Sequence, residues 1–346
     1  MTPGYRVTAH ASLRERTTFG VPARAPWLIE VDDAAALDEV LALPQATENT
    51  PLVIGGGSNL LFAGDAPGAV IAMATRGLRV LSDDGDHALV RADAGVAWHP
   101  LVMWTLEQGL CGLENLALIP GTAGASPIQN IGAYGTEVGE FIHGVDAFDR
   151  HAGTRVRLDR DACAFAYRDS VFKHDPDRYL VTAVEFLLPR RPALRLDYAG
   201  IRDELGAMGI ADPTARDVAD AVIRIRQRKL PDPAVVGNAG SFFKNPIVSQ
   251  AQADALQVDY PTLPVFRGDA AHNRKLSAAW MIEACGWKGY RDGDTGVSAA
   301  HALVLVNHGE ATGAQLLALA RKIAASVQAR FGVAIEPEPK IIGASW

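Results

Sequence analysis

Cysteine is scarce in this chain: three in 346 residues, at Cys111, Cys163 and Cys285. Odd in number and far apart, they allow no disulfide framework and no zinc-ligand spacing. A reducing compartment suits them, and no metal is expected. Runs of about 18 apolar residues, the length a membrane helix needs, are missing too. No membrane insertion is therefore expected. The first residues carry charge by Arg6 and lack the apolar stretch of a secretory signal, so a cytoplasmic protein is expected. There is no repeat and no low-complexity segment. Positive charge is in deficit, with a net charge of −7 and a pI of about 5.7. That excludes the broad basic face of a nucleic-acid-binding protein and leaves room for local anion sites. What remains is 48% apolar and 21% charged, an ordinary globular profile. The length implies two or three domains.

The periodicity mixes strands and helices. Trp27–Val31 reads as a strand, Asp32-Asp33 as the cap of a helix to about Leu43, and Pro51–Ile54 as a second strand. Short β-type runs fill Ala69–Ala92, and helical spacing covers Val96–Gln108, ending at Gly109. Phe141–Leu158 alternates as a hairpin turning at His151-Ala152-Gly153, and Tyr179–Leu188 is another strand. Thr214 caps a helix to about Arg228. Residues 249–257 and Lys275–Cys285 read as helices, Ala302–Val306 as a strand, and Thr312–Phe331 as an amphipathic helix stopped by Gly332. Val333–Ile335 is read as the last strand.

Six stretches stand outside this pattern. GGGSNLL at 55–61 follows a strand, as an anion nest of main-chain N–H groups would, but lacks the ending of a P-loop; a plain turn fits as well. IPGTAGASPIQNIGAYG at 119–135 has four glycines, two amides and little charge, which suits a backbone laid against a flat ligand or a buried crossover. Arg168, in YRDSVFK at 167–173, is either a fixed cation for a carboxylate or the partner of Asp169. The helix end Arg224, Arg226, Arg228 and Lys229 either complements the helix dipole or anchors a diphosphate, and KLPDP leads from it into GNAGSFFKNP at 237–246. There Gly237 and Gly240 allow close approach to the main chain, and Ser241, Lys244 and Asn245 offer a hydroxyl, a cation and an amide. A decorated loop would look the same. EPEP at 336–339 holds two carboxylates, solvated or catalytic.

Taken together and in order, these stretches resemble the UDP-N-acetylenolpyruvoylglucosamine reductases, the MurB family, in its longer form. The resemblance runs from Thr18-Phe19-Gly20 to Ile342-Gly343-Ala344-Ser345. It implies an α+β fold: a two-subdomain FAD-binding module (PCMH-type) plus a C-terminal α+β substrate-binding domain. Residues 1–69 with 332–346 would form one FAD subdomain, 70–212 the second, and 213–331 the substrate domain. It implies non-covalent FAD, NADPH as hydride donor, a UDP-sugar as substrate, and a monomer.

By the same resemblance, FAD lies against Gly55, Gly56, Gly57, Ser58 and Asn59. A second set of contacts comes from Gly121, Thr122, Gly124, Ala125, Ser126, Gln129, Asn130 and Ile131. Ser241 is the proton donor, and Arg168 and Glu338 polarise the substrate carboxylate. Tyr134, Tyr198, Arg226, Lys229, Asn245, Phe266 and His301 contact the nucleotide-sugar. Two of these depart from the family pattern. Phe266 stands where a tyrosine is usual, which keeps stacking and removes a phenolic hydrogen bond; His301 stands where a glutamine is usual. Two other functions share the expected fold: a flavin oxidase passing electrons to oxygen, and a colourless sensor that binds a nucleotide-sugar without chemistry.

Overall fold

The computed structural model describes residues 4–198, 200–268 and 270–346. The chain divides into two compact units. The first holds the residues up to Ala11, Ala25–Gly56 and Pro67–Gln227; the second holds Ser12–Arg24, Gly57–Ala66 and Arg228–Trp346. Helices and strands are mixed in both, giving the α+β class.

Two sheets, of four and five strands, form most of the first unit, beside a two-stranded ladder. In the four-stranded one, Val70–Met73 lies between Arg24–Val31 and Leu52–Ile54 and runs parallel to both. Its residues are buried throughout, as a continuous apolar run in a parallel sheet should be. Asp33 caps the expected helix by accepting from Ala35 N–H at 2.8 Å. Pro44 ends the helix Leu37–Ala42 and opens a shorter one, Pro44–Thr47, because its ring suits a first helical position. The second sheet is antiparallel, in the order Thr154–Asp159, Ile142–Asp149, Tyr179–Pro189, His87–Asp93, Leu78–Asp83. Its core face packs Val90, Val145, Val184 and Phe186 against Trp98, Leu101 and Val102 of the helix Trp98–Glu107, and against Val218 and Val222 of the helix Ala215–Lys229. Glu185 is accommodated by Arg91 at 3.1 Å and Arg157 at 2.5 Å.

In the second unit, Lys340–Ile342 pairs in parallel with Leu60–Phe62. Two three-stranded sheets, one built on Asn273–Leu276 and one on Thr295–Val297, complete its strands. Two expectations are corrected here. Asn273–Leu276 is a strand, paired on one side with Ile247–Ser249 and on the other with Val265–Arg267. The helix starts only at Ala278, because Ser277 caps it by accepting from Trp280 N–H at 3.2 Å. Nor is Val333–Ile335 a strand: Val333 and Ile335 bury their side chains without ladder pairing, and the strand forms beyond Pro339.

The helix Gly313–Phe331 begins with a capping box of Thr312 and Gln315 and stops at Gly332 with φ +65°. Its first residue touches the strand Leu60–Phe62 so closely that a Cβ on Gly313 would lie 1.7 Å from Phe62 O. The obstacle is main chain and has no rotamer to change. Gly313→Ala is therefore expected to destabilise the fold by about 3 kcal/mol and to lower the midpoint of thermal unfolding. An unchanged melting curve would mean that helix and strand separate freely.

Among the described residues, no helix is long and apolar enough to cross a membrane. Among the same residues, no group of three or more His, Cys, Asp or Glu side chains is arranged to hold a metal ion.

Candidate active site

In the second unit, the 237–246 stretch is pinned along its length. Gly237 forms a bridge with Asn307, whose N–H donates to Gly237 O at 2.7 Å. A Cβ on Gly237 would lie 2.3 Å from Phe19 O, so the residue type follows from close approach. Asn238 is buried: Nδ2 donates to Pro231 O and Val236 O, and Oδ1 accepts from Gly240 N–H. Gly240 then takes φ +69° and delivers Ser241, which is half-buried. The next two residues, Phe242 and Phe243, are buried with their rings edge to face. Phe242 N–H donates to Leu303 O at 2.7 Å, and Phe242 O accepts from Glu338 N–H at 2.7 Å. Ser241 thus stands between a left-handed glycine and a peptide held on both sides, and Glu338 is one of the two holders.

The two carboxylates of EPEP have different settings. Glu336 is exposed and pairs with Lys244 at 3.4 Å, while its carbonyl accepts from Lys244 N–H at 3.0 Å. Lys244, which motif reading left without a role, is thus half of a surface pair. Glu338 is half-buried, and its carbonyl accepts from Asn59 Nδ2 at 3.3 Å. Asn59 O in turn accepts from Lys340 N–H at 3.0 Å, so the end of the GGGSN motif and the Glu338 segment brace each other.

Other expected substrate residues of this unit are more dispersed. Asn245 Oδ1 accepts from Ala278 N–H at 3.0 Å and so caps a helix start. His301 Nδ1 accepts from Leu303 N–H at 3.3 Å. Burial, then the charges of Lys229 and Lys288, hold its imidazole below the usual pKa, in the neutral form. Lys229 ends its helix exposed. Phe266 is exposed on the strand Val265–Arg267.

In the first unit, the 119–135 stretch is irregular, with a short turn of helix at Ala123–Ala125 and a two-residue ladder between Gly132–Ala133 and Thr136–Glu137. Six described residues other than glycine have positive φ. Four of them, Leu118, Asn130, Tyr134 and Arg168, lie in this stretch or against it. Side chains resist that region, so the tertiary contacts must hold it. Asn130 is buried, with Nδ2 donating to Glu137 and to Ala166 O, and Oδ1 accepting from Gly139 N–H at 2.8 Å. Ser126 is buried and donates to Ala123 O at 2.7 Å. Both shape the loop from inside. Arg168 donates from Nη2 to Gly132 O at 2.8 Å and lies over the Tyr167 ring at 5.4 Å. Asp169 pairs with His174 at 2.7 Å. Tyr134 meets the exposed Tyr198 edge to face at 5.2 Å. Arg226 donates from Nε to Leu118 O at 3.2 Å, and its charge acts on the Tyr134 phenol.

The glycine motifs fit a flat, polar cofactor. A Cβ on Gly55 would lie 2.3 Å from Thr122 Oγ1, and one on Gly56 would lie 3.1 Å from Gly121 Cα, so Gly55 meets the Thr122 side chain and Gly56 the main chain of the other loop. The Thr122 hydroxyl is buried without a partner. In the second unit, Gly57 has φ +60°, and a Cβ there would lie 1.8 Å from Arg16 O. The hydroxyls of Thr17 and Thr18 are likewise buried without a partner. A hydroxyl left so costs about 1–3 kcal/mol, and a bound dinucleotide with many polar atoms is the kind of group that offsets it. Thr17 carried no motif signal, and nor did Leu118: a threonine beside another, or a leucine before an isoleucine, looks like any other.

Comparison with known proteins follows the same lines. The family model described as FAD binding domain matches residues 25–159, and that described as UDP-N-acetylenolpyruvoylglucosamine reductase, C-terminal domain, matches 232–342. A UDP-N-acetylenolpyruvoylglucosamine reductase of Xanthomonas oryzae pv. oryzae is 60% identical over 343 residues, covering 99% of this chain and 98% of that protein. One of Xanthomonas campestris pv. campestris is 59% identical over 342 residues, with 99% and 98% covered. Among solved structures, a UDP-N-acetylenolpyruvylglucosamine reductase (MurB) from Thermus caldophilus is similar at a TM-score of 0.69 and 26% identity, covering 98% of this chain and 99% of that one.

Proposed function

The chain belongs to the UDP-N-acetylenolpyruvoylglucosamine reductase family, flavin-dependent oxidoreductases with a FAD-binding domain, and from that premise we propose a reaction and a role for each residue. The reaction is reduction of the enolpyruvyl ether of UDP-N-acetylenolpyruvoylglucosamine to UDP-N-acetylmuramate, a precursor step of peptidoglycan synthesis. The chemistry that bound FAD supplies is relay of a hydride from NADPH to the terminal carbon of the enolpyruvyl double bond. Gly55 to Asn59 and the 121–131 segment would hold it, through main chain and through the Thr122 hydroxyl.

Hydride addition leaves negative charge on the carbon next to the substrate carboxylate. Arg168 meets that charge with a guanidinium already fixed by Gly132 O, so little reorganisation remains at the moment of reaction. Ser241 gives a proton to that carbon. A hydroxyl is a weak acid, but the carbanion is a strong base, and the donor needs only to be close and still. Glu338 acts with Arg168 on the carboxylate. Tyr134, Tyr198, Arg226, Lys229, Asn245, Phe266 and His301 contact the nucleotide-sugar, whose remote binding energy positions the enolpyruvyl group.

The observation that carries this reading is the Glu338 N–H to Phe242 O hydrogen bond. It brings the main chain of Glu338, from the far end of the chain, to the peptide after Ser241. The three-part division into 1–69 with 332–346, 70–212 and 213–331 is part of the proposal. It is supported by the pairing of Lys340–Ile342 with Leu60–Phe62.

The test is spectroscopic. Purified protein is expected to be yellow, to bleach when NADPH is added without oxygen, and to regain its colour when UDP-N-acetylenolpyruvoylglucosamine follows. Flavin that bleaches and recovers only with oxygen would overturn the reductase reading.

A further inference from the structure

Leu118 is the hinge between an ordinary segment and the glycine-rich 119–135 stretch, and it is held in a conformation leucine avoids, φ +58°. Both of its main-chain polar groups are held by side chains. Its N–H donates to His99 Nδ1 at 3.1 Å, and its carbonyl accepts from Arg226 Nε at 3.2 Å. The Arg226 charge also acts on the Tyr134 phenol at the other end of the stretch. The Tyr134 carbonyl, on a second residue with positive φ, accepts from Asn115 Nδ2 at 2.9 Å. We propose that His99 and Arg226 are positioning residues that clasp the glycine-rich loop at its two ends, with His99 acting as a proton-sensitive catch on Leu118. The proposal rests on the reading above that this loop holds FAD, and it adds how the loop keeps its shape.

The sensitivity follows from hydrogen-bond chemistry. Nδ1 accepts from Leu118, so the ring proton of neutral His99 sits on Nε2; in the imidazolium both nitrogens are donors and the contact with Leu118 N–H becomes repulsive. Arg226 cannot lose its proton in this range, so only one side of the catch responds to pH.

The charged groups around His99 agree with a neutral ring. From the helix Ala215–Lys229 come Arg216, itself paired with Asp220 at 3.3 Å, and Arg226. On its own helix the carboxylate is Glu107, about 12 Å along the axis, and on the Leu118 segment it is Glu114, which accepts from Gly112 N–H at 2.6 Å. Burial, then Arg216 and Arg226, push the His99 pKa below its usual value. A histidine whose folded pKa is depressed contributes stability that is complete above the unfolded value of about 6.5 and is lost as pH falls toward the folded value. The loop should therefore be firm at pH 8 and loosen on the acid side of about 6.5.

The test compares full-length wild type with H99N, whose side-chain oxygen accepts at every pH, and H99L, which has no acceptor. Amide hydrogen exchange across 118–135 is measured in FAD-free protein and corrected for intrinsic pH dependence; FAD dissociation constants come from flavin fluorescence at pH 5 to 8. At pH 8, H99L is expected to lose protection at Leu118 and to bind FAD about tenfold more weakly, the loss of one main-chain hydrogen bond. Wild type should approach H99L as the pH falls, and H99N should stay flat. An H99N acid slope equal to wild type, or H99L exchange equal to wild type, would overturn the catch. Should H99L not fold, the H99N and wild-type slopes decide alone. Loss of protection without loss of FAD affinity would uphold the catch and overturn the placing of FAD on this loop.

Discussion

Ser241→Ala is expected to split the reaction in two. NADPH should bleach the flavin at the wild-type rate, because that step needs no proton from Ser241. Turnover of the enolpyruvyl sugar should fall by about 100- to 10,000-fold, the usual worth of a positioned general acid. The fold should tolerate the change. Ser241 makes no hydrogen bond on which the neighbouring turn depends; that turn is held by Gly240, by Asn238 and by the two bonds to Phe242. Removal of one hydroxyl therefore isolates its chemical role. Rapid mixing with each substrate in turn, followed by flavin absorbance, reads both half-reactions. Reoxidation by the enolpyruvyl sugar at a near-normal rate in the alanine variant would sink the assignment.

Arg168→Lys is the second large effect, and it distinguishes charge from geometry. Lysine keeps the positive charge but not the planar fork, and it cannot reproduce a guanidinium fixed against Gly132 O. Arg168 is also locked from behind, because its carbonyl accepts from Lys173 Nζ at 2.5 Å and its backbone sits at φ +55°. Sugar reduction in the lysine variant is expected to drop by about 100- to 1,000-fold, as when a preorganised donor is lost. FAD content and flavin reduction by NADPH should be unchanged. The measurement is single-turnover reoxidation with saturating sugar. If lysine supports normal reoxidation, a diffuse positive charge suffices and Arg168 is not the specific stabiliser. If FAD content falls instead, Arg168 acts by holding Gly132 and the loop.

The two predictions differ in how much of their basis could be read before folding. Gly237, Gly240 and Ser241 announced themselves. A glycine that must take positive φ, or let a carbonyl come within 2.3 Å of where its Cβ would be, writes that need into the residue type. The cap at Asp33, the hairpin around Gly153 and the helix stop at Gly332 were legible for the same local reason. Arg168 was legible only as an arginine among aromatics. Its bond to Gly132 O, like that of Asp169 to His174, follows from no spacing rule. The helix start at Ser277 rather than Lys275 went unread because NRKL serves as a helical turn until two other strands claim it.

Sequence alone was enough for the family, the α+β class and the expectation of FAD, because motifs made of glycine, proline and single polar residues carry their backbone requirements with them. Tertiary structure decided the rest. It separated Glu336, on Lys244, from Glu338, on Phe242 and Asn59, two carboxylates that an EPEP repeat cannot tell apart. It turned Asn245 toward a helix start, and Asn130 and Ser126 into the interior of their loop. It also bent Leu118, Tyr134 and Arg168 into a backbone region that their side chains oppose. Strain of that kind leaves no mark on residue type, since nothing in leucine, tyrosine or arginine asks for it. It exists only because partners distant in the chain, His99 and Arg226 for Leu118, and Gly132 for Arg168, hold it in place.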